Sequence, residues 1–167
     1  MNPILVTHAE RVAGLLIQRK ETIAVSESST GGLITAALLA VPGASAYCVG
    51  GVVLYTRQAW HALAGFDEAL LRGARSATED NALVRAELAR TRFGATWGLG
   101  ETGAAGPTGN RYGDPAGHTC IAVVGPSQSS ITVSTGRSER LENMHAFAAA
   151  ALEHLEEMLK RKPGSEP

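Results

Sequence analysis

Val25-Ser26-Glu27-Ser28-Ser29-Thr30-Gly31-Gly32 decides how this chain is read. A strand-like apolar segment, Thr22–Ser26, runs into it, and an alanine- and leucine-rich helical stretch, Gly31–Ala40, runs out of it. A strand-to-helix junction made of small hydroxyl residues and paired glycines lets backbone N–H groups approach a ligand closely. The helix dipole behind them favours an anion such as phosphate. The run is not a Walker A loop, because no Gly-Lys-Ser/Thr follows it. The competing reading is that Ser29 or Thr30 simply caps the helix.

Outward from this junction, strand and helix signals alternate. Val6–Arg19 carries Val12, Leu15 and Leu16 near helical spacing and reads as an amphipathic helix. Tyr47–Tyr55 reads as a buried strand interrupted by Gly50-Gly51. Arg57–Ala64 and Asp67–Arg72 read as short helical pieces. Thr78 caps a long helix to about Phe93, with Glu79 and Asp80 in its first turn. Ala95–Glu101, Thr119–Val124 and Ser130–Thr135 are strands, and Arg140–Arg161 is a closing helix. The alternation predicts an α/β fold, a three-layer α/β/α sandwich with a mostly parallel mixed sheet, the last two strands being able to pair as an antiparallel hairpin. Residues 1–161 are expected to form one domain and 162–167 a disordered tail.

Composition narrows the function classes. At 167 residues, 44% hydrophobic and 19% charged, the chain can bury a full core. A net charge of −1 argues against a general nucleic-acid surface. No apolar run approaches the roughly 20 residues of a membrane span, and no signal-peptide pattern appears. Cys48 and Cys120 lie in apolar, strand-like contexts and read as buried thiols of a reducing cytoplasm. The five histidines, His8, His61, His118, His145 and His154, are scattered without metal-site spacing, so neither metal nor cofactor is expected.

Thr102-Gly103-Ala104-Ala105-Gly106-Pro107-Thr108-Gly109 follows another strand candidate, and Gly113-Asp114-Pro115-Ala116-Gly117 comes soon after. Glycine-rich loops after apolar strands can converge at one end of a sheet, where α/β proteins place ligands. Between them lie the turn Val41-Pro42-Gly43-Ala44-Ser45-Ala46-Tyr47 and then Gly50-Gly51-Val52-Val53-Leu54-Tyr55-Thr56. In this order and spacing the three loops resemble the C-terminal domain of the CinA family, over roughly Thr22 to Leu155. Standalone members of that family are nicotinamide-nucleotide amidohydrolases, so the resemblance implies deamidation of nicotinamide mononucleotide by a serine nucleophile. It also implies a small phosphorylated nucleotide as ligand and a homo-oligomer as the assembled form.

Carried over by this resemblance, the nucleophile falls on Ser45 and the accompanying tyrosine on Tyr55. The lysine that activates the serine falls on Trp60, in Tyr55-Thr56-Arg57-Gln58-Ala59-Trp60. Indole accepts no proton, no lysine occurs between Lys20 and Lys160, and Arg57 is too basic to serve. His61, His118 and Glu101 are the conceivable substitutes. Glu101 stands where relatives carry an apolar residue and His118 where they carry threonine, so a Glu101–His118 pair is one expectation. The alternative is a binding or sensing module that kept the loops and lost the base, and a third reading is a hydrolase of a different amide. Implied ligand-binding residues are Glu27, Ser28, Thr30, Gly31 and Gly32 in the first loop, and Thr102, Gly103, Gly106 and Pro107 in the second. Arg137, in Gly136-Arg137-Ser138-Glu139-Arg140, is a phosphate-facing candidate, with a solvated charge run as the competing reading. Arg111 and Asp114 are further polar candidates. Trp60 either stacks on a ligand ring with Tyr55 or packs into the core.

Overall fold

A computed structural model describes residues 2–63 and 68–161. Five strands form one sheet in the order β2-β1-β3-β4-β5: β1 Ile23–Glu27, β2 Cys48–Val53, β3 Trp97–Ala104, β4 His118–Val124 and β5 Gln128–Ser134. β1 pairs in parallel with both β2 and β3, whereas β3–β4 and β4–β5 are antiparallel. The sheet is therefore mixed, and the antiparallel part extends one strand beyond the expected hairpin.

Helices α1 (Pro3–Arg19), α2 (Leu33–Leu39) and α5 (Arg140–Lys160) cover one face, and α4 (Glu79–Phe93) the other. Strand alternation assigns the side chains. Ile23, Val25, Trp97, Leu99, Ile121 and Val123 face the three-helix layer with Leu5, Leu16, Leu38 and Leu152. Ala24, Cys120 and Ala122 face α4, against Ala89, Ala82 and Ala86. Gly98 and Gly100 on β3 admit the α4 backbone so closely that a Cβ at either would run into the carbonyl of Ala86 or Ala82. A short helix, α3 (Arg57–Ala62), follows β2, and Trp60 packs there on Leu54.

The sequence reading holds for the type and order of these elements, with shifts at their ends. Thr78 caps α4 as expected, its hydroxyl accepting from Asn81 N–H. The helix after the first loop begins at Leu33 rather than Gly31, because Gly31 and Gly32 have φ of 64° and 97°, outside the helical range. Tyr47–Tyr55 is corrected. Its strand is a sheet edge, with Val49 46% and Val53 45% exposed, rather than a buried strand. Cys48 and Cys120 are buried thiols, and burial raises both their pKa values. Among the described residues no helix is long and apolar enough to cross a membrane. Ala64, the first residue of the Asp67–Arg72 piece and the tail 162–167 lie outside the described residues.

Candidate functional site

The C-terminal ends of β1, β2 and β3 bring three segments together: residues 28–32, Tyr55-Thr56, and the loop 105–117. Charged side chains organise this edge, beginning with two buried carboxylates. Glu27 ends β1 and turns toward α2. It accepts from the N–H groups of Gly32, Ile34 and Thr35 at 3.0, 3.1 and 2.8 Å, and from the hydroxyls of Thr30 and Thr35. Glu101, from mid-β3, accepts from Ser28 and Thr30 N–H, both at 3.0 Å, and from the hydroxyls of Ser29, Thr30 and Thr119. Thr30 Oγ1 lies within reach of both carboxylates, and its single proton serves one at a time. The N–H groups that a phosphate would have used at this junction are thus already satisfied by the protein's own side chains. Glu27 and Glu101 staple the first loop to the sheet.

Glu101 and His118 do not pair. In the β3–β4 register Ala104 stands opposite His118 and Glu101 opposite Ile121. The two side chains therefore project from opposite faces, because facing strand residues share a face and successive ones alternate. His118 instead lies on the α4 side, its Nε2 3.0 Å from Ala77 O and 3.7 Å from Cys120 Sγ. Thr102, on that same face, accepts from Ala77 N–H at 3.1 Å. His61 is exposed on α3.

Ser45 and Tyr55 also stand apart. Ser45 is exposed on a 3-10 turn (Ala44–Ala46) before β2, and Tyr55 follows β2 at its other end. Cys48 and Val53 alone are separated by five strand steps, about 17 Å. Within one chain the serine reaches none of Tyr55, Glu101 and His118. The first loop, Tyr55 and the second loop do converge. Arg140, at the start of α5, donates to Gly106 O at 2.7 Å and to the Tyr55 hydroxyl at 3.0 Å. Met144, one turn on, closes over Gly31. Arg137 is exposed at the rim, 3.8 Å from Glu142. The arginine of the Gly136–Arg140 run that bridges the loops is thus Arg140, three residues on.

The second loop is latched from the α4 side. Arg75 makes a two-pronged contact with Asp114 at 2.5 and 3.1 Å, and Asn110 donates to the same carboxylate. The hydrogen bonds from Arg75 hold Asp114 below the usual aspartate range, and Asp114 in turn raises the Arg75 guanidinium.

Behind Tyr55, on the α4 face, lies a cavity of about 70 Å³ bordered by Tyr55, Arg57, Trp60, Ser76, Arg85 and Arg111. Arg85 is 2% exposed, donates from Nε to Asn81 Oδ1 at 2.7 Å and from Nη1 to Leu54 O at 3.1 Å, and stacks on Trp60 with 4.8 Å to the ring centre. Burial pulls its pKa down to about 10, opposed by the charge of Glu101, so it stays protonated at neutral pH. Sequence reasoning missed this residue. Its signal was available: α4 turns Asn81, Ala82, Arg85, Ala86 and Ala89 inward, which puts an arginine on the buried stripe of the helix. A larger hollow of about 290 Å³ lies elsewhere along α4, beside Leu83, Leu88 and Val124, and includes none of the strand-end loop residues. Among the described residues no group of three or more His, Cys, Asp or Glu side chains is placed to hold a metal ion.

The fold and this edge define an α/β domain whose loops meet at the carboxyl ends of its parallel strands, the usual ligand position in such sheets. The chain belongs to the CinA C-terminal domain family, which it matches over residues 5–159. It is 38% identical over 156 residues to a CinA-like protein of Frankia casuarinae, covering 93% of this chain and 36% of that protein. A CinA-like protein of Prochlorococcus marinus is 43% identical over 118 residues, 71% of this chain and 28% of that one. The chain thus spans about a third of the curated relatives it matches. Among solved structures, the competence/damage inducible protein CihA of Agrobacterium tumefaciens superposes with a TM-score of 0.84 at 28% identity, covering 95% of this chain and 96% of that one. A CinA superfamily protein of Klebsiella pneumoniae gives 0.84 at 25% identity, with 93% and 97% covered.

Proposed function

We propose that this CinA-family domain binds a small phosphorylated nucleotide at the strand ends, nicotinamide mononucleotide being the first candidate, and does not cleave its amide by a serine–lysine route. One observation carries this reading: at the position where the resemblance puts the lysine, a buried Trp60 lies under the Arg85 guanidinium. An indole supplies no base. A guanidinium with a pKa of about 10 is protonated at neutral pH and is a donor, not an acceptor. The ligand would meet Tyr55, Arg140 and the Gly106 loop. Glu27, Ser28, Thr30, Gly31 and Gly32 would shape that site through the stapled loop, and Thr102 and Gly103 through β3.

The second reading is deamidation to nicotinate mononucleotide and ammonia, with Ser45 as nucleophile. Its support is the exposure of Ser45 together with the unpaired edge of β2, where Val49 and Val53 are exposed. A second copy docked along that edge would bring a partner's groups to a serine that lies apart from Tyr55, Glu101 and His118 in its own chain.

Ammonia release from nicotinamide mononucleotide separates the two readings. A silent wild-type protein that still binds the nucleotide is expected. Turnover abolished by Ser45→Ala would overturn the binding reading. Restoration needs the double variant Trp60→Lys/Arg85→Met, because a lysine placed alone beside Arg85 would meet a like charge.

A further inference from the structure

Arg85 is the one arginine among the described residues that is buried. Arg11, Arg19, Arg75, Arg90 and Arg137 each lie within 4 Å of a carboxylate. All of these are more exposed than Arg85, and Arg85 has no such partner among the described residues. The opposing charge of Glu101 comes from the other face of the sheet, and that carboxylate is already held by Ser28, Ser29, Thr30 and Thr119. A buried, unpaired guanidinium is costly, and the cost falls when an anion joins it.

The geometry leaves a place for that anion. Nε and Nη1 of Arg85 are used by Asn81 and Leu54, while Nη2 donates to no described residue and Arg85 borders the cavity. Trp60 and the two contacts fix the plane of the guanidinium, so its free side is held in one direction. Exposed Arg57 and Arg111, with Ser76, lie around the opening, and among the described residues no acidic side chain borders the cavity. A volume of about 70 Å³ compares with roughly 10–15 Å³ for one water. It suits a phosphate or carboxylate group rather than a whole nucleotide.

We propose that this cavity is an oxyanion seat that takes the phosphate or carboxylate group of a small ligand, with Arg85 as its buried cation and Arg111 at its mouth. The proposal goes beyond the reading above and holds whether or not an amide is cleaved. The seat lies on the α4 face, away from the loop amides that Glu27 and Glu101 occupy.

The test is titration of the purified protein with inorganic phosphate, acetate or chloride at constant ionic strength, read by tryptophan fluorescence and by Tm. Trp60 reports on the seat; Trp97 lies on the opposite face, bonded to Glu21. At least one oxyanion should give a saturable change that chloride does not. Saturation by phosphate identifies a phosphate seat, and saturation by acetate a carboxylate seat. Arg85→Met should weaken the response by roughly 10- to 100-fold. Should that variant fail to fold, Arg111→Gln, an exposed change, should still weaken it by about threefold. No saturable response to either oxyanion, or affinity unchanged in every folded variant, overturns the proposal. Ammonia release plays no part in this readout, so its presence or absence leaves the result intact.

Discussion

Glu27 and Glu101 on one face of the sheet, and Arg85 on the other, are all buried charges close to the same strand ends, yet they are satisfied very differently. Each carboxylate is surrounded by five N–H and O–H groups, all from the protein. Arg85 has two hydrogen bonds, an aromatic ring beneath it and, among the described residues, no carboxylate. A saturated buried charge is part of the scaffold, since nothing is left for a ligand to satisfy. An unsaturated one is where binding free energy remains available. This contrast moves the centre of interest from the glycine-rich loop to the cavity behind Tyr55.

The largest expected effect tests the cation side. Trp60→Lys removes a buried ring and sets an ammonium beside Arg85, and should cost about 4–5 kcal/mol in urea unfolding. Adding Arg85→Met should return part of it, with a coupling of about 1–3 kcal/mol in the double-mutant cycle. Strict additivity would mean that ring and guanidinium do not depend on each other.

The carboxylate side is tested by Glu27→Ala, which leaves the N–H groups of Gly32, Ile34 and Thr35 without their acceptor. A loss of about 3 kcal/mol is expected, with hydrogen exchange fastest over residues 28–35. A loss below about 1 kcal/mol would show that water replaces the carboxylate, and the contrast between the faces would weaken.

Gly100→Ala sharpens the comparison from within the sheet. Its Cβ would fall 2.9 Å from Arg85 Cβ and against the Ala82 carbonyl, so α4 must shift outward, at about 1–3 kcal/mol. The response to phosphate or acetate should fall with it, since Arg85 moves with the helix, while the stapled loop keeps its exchange protection.

The smallest effect concerns the rim. Asp114 has a lowered pKa in the folded protein, chiefly through Arg75. Its contribution is therefore complete above the ordinary aspartate value of about 3.9 and is lost as pH falls through the folded value. Amide exchange in residues 110–117 should quicken only in that acid range, and Asp114→Asn should remove the dependence.

The strands and helices were legible because their signals are local: apolar alternation, a Thr-Glu-Asp start for α4, glycine punctuation around the first loop. The edge position of β2 was not, since an apolar run reads alike in the middle of a sheet and at its margin. Glu101 stood out in the sequence as an unexpected carboxylate at the end of a strand; the strand runs three residues further, to Ala104, and Glu101 sits within it, buried. Its partners were misjudged because pairing it with His118 requires the β3–β4 register, and that register places the two on opposite faces. Arg137 was named as the phosphate-facing candidate, and Arg140 went unnoticed, because a charge run at a helix start does not say which residue reaches the loops. Ser45 and Tyr55 are ten positions apart in sequence with a strand between them, and an extended strand separates its ends.

By itself the sequence determined the α/β class, the order of elements, the family and the loss of the lysine at Trp60, all of which depend on residue types and short-range periodicity. Only the tertiary structure decided which charges are satisfied. The staples at Glu27 and Glu101, the Arg140 bridge from Tyr55 to Gly106, and the stacking of Arg85 on Trp60 join residues 3 to 85 positions apart. Whether a buried charge is scaffold or site depends on partners that the fold, not the neighbouring sequence, brings within about 3 Å.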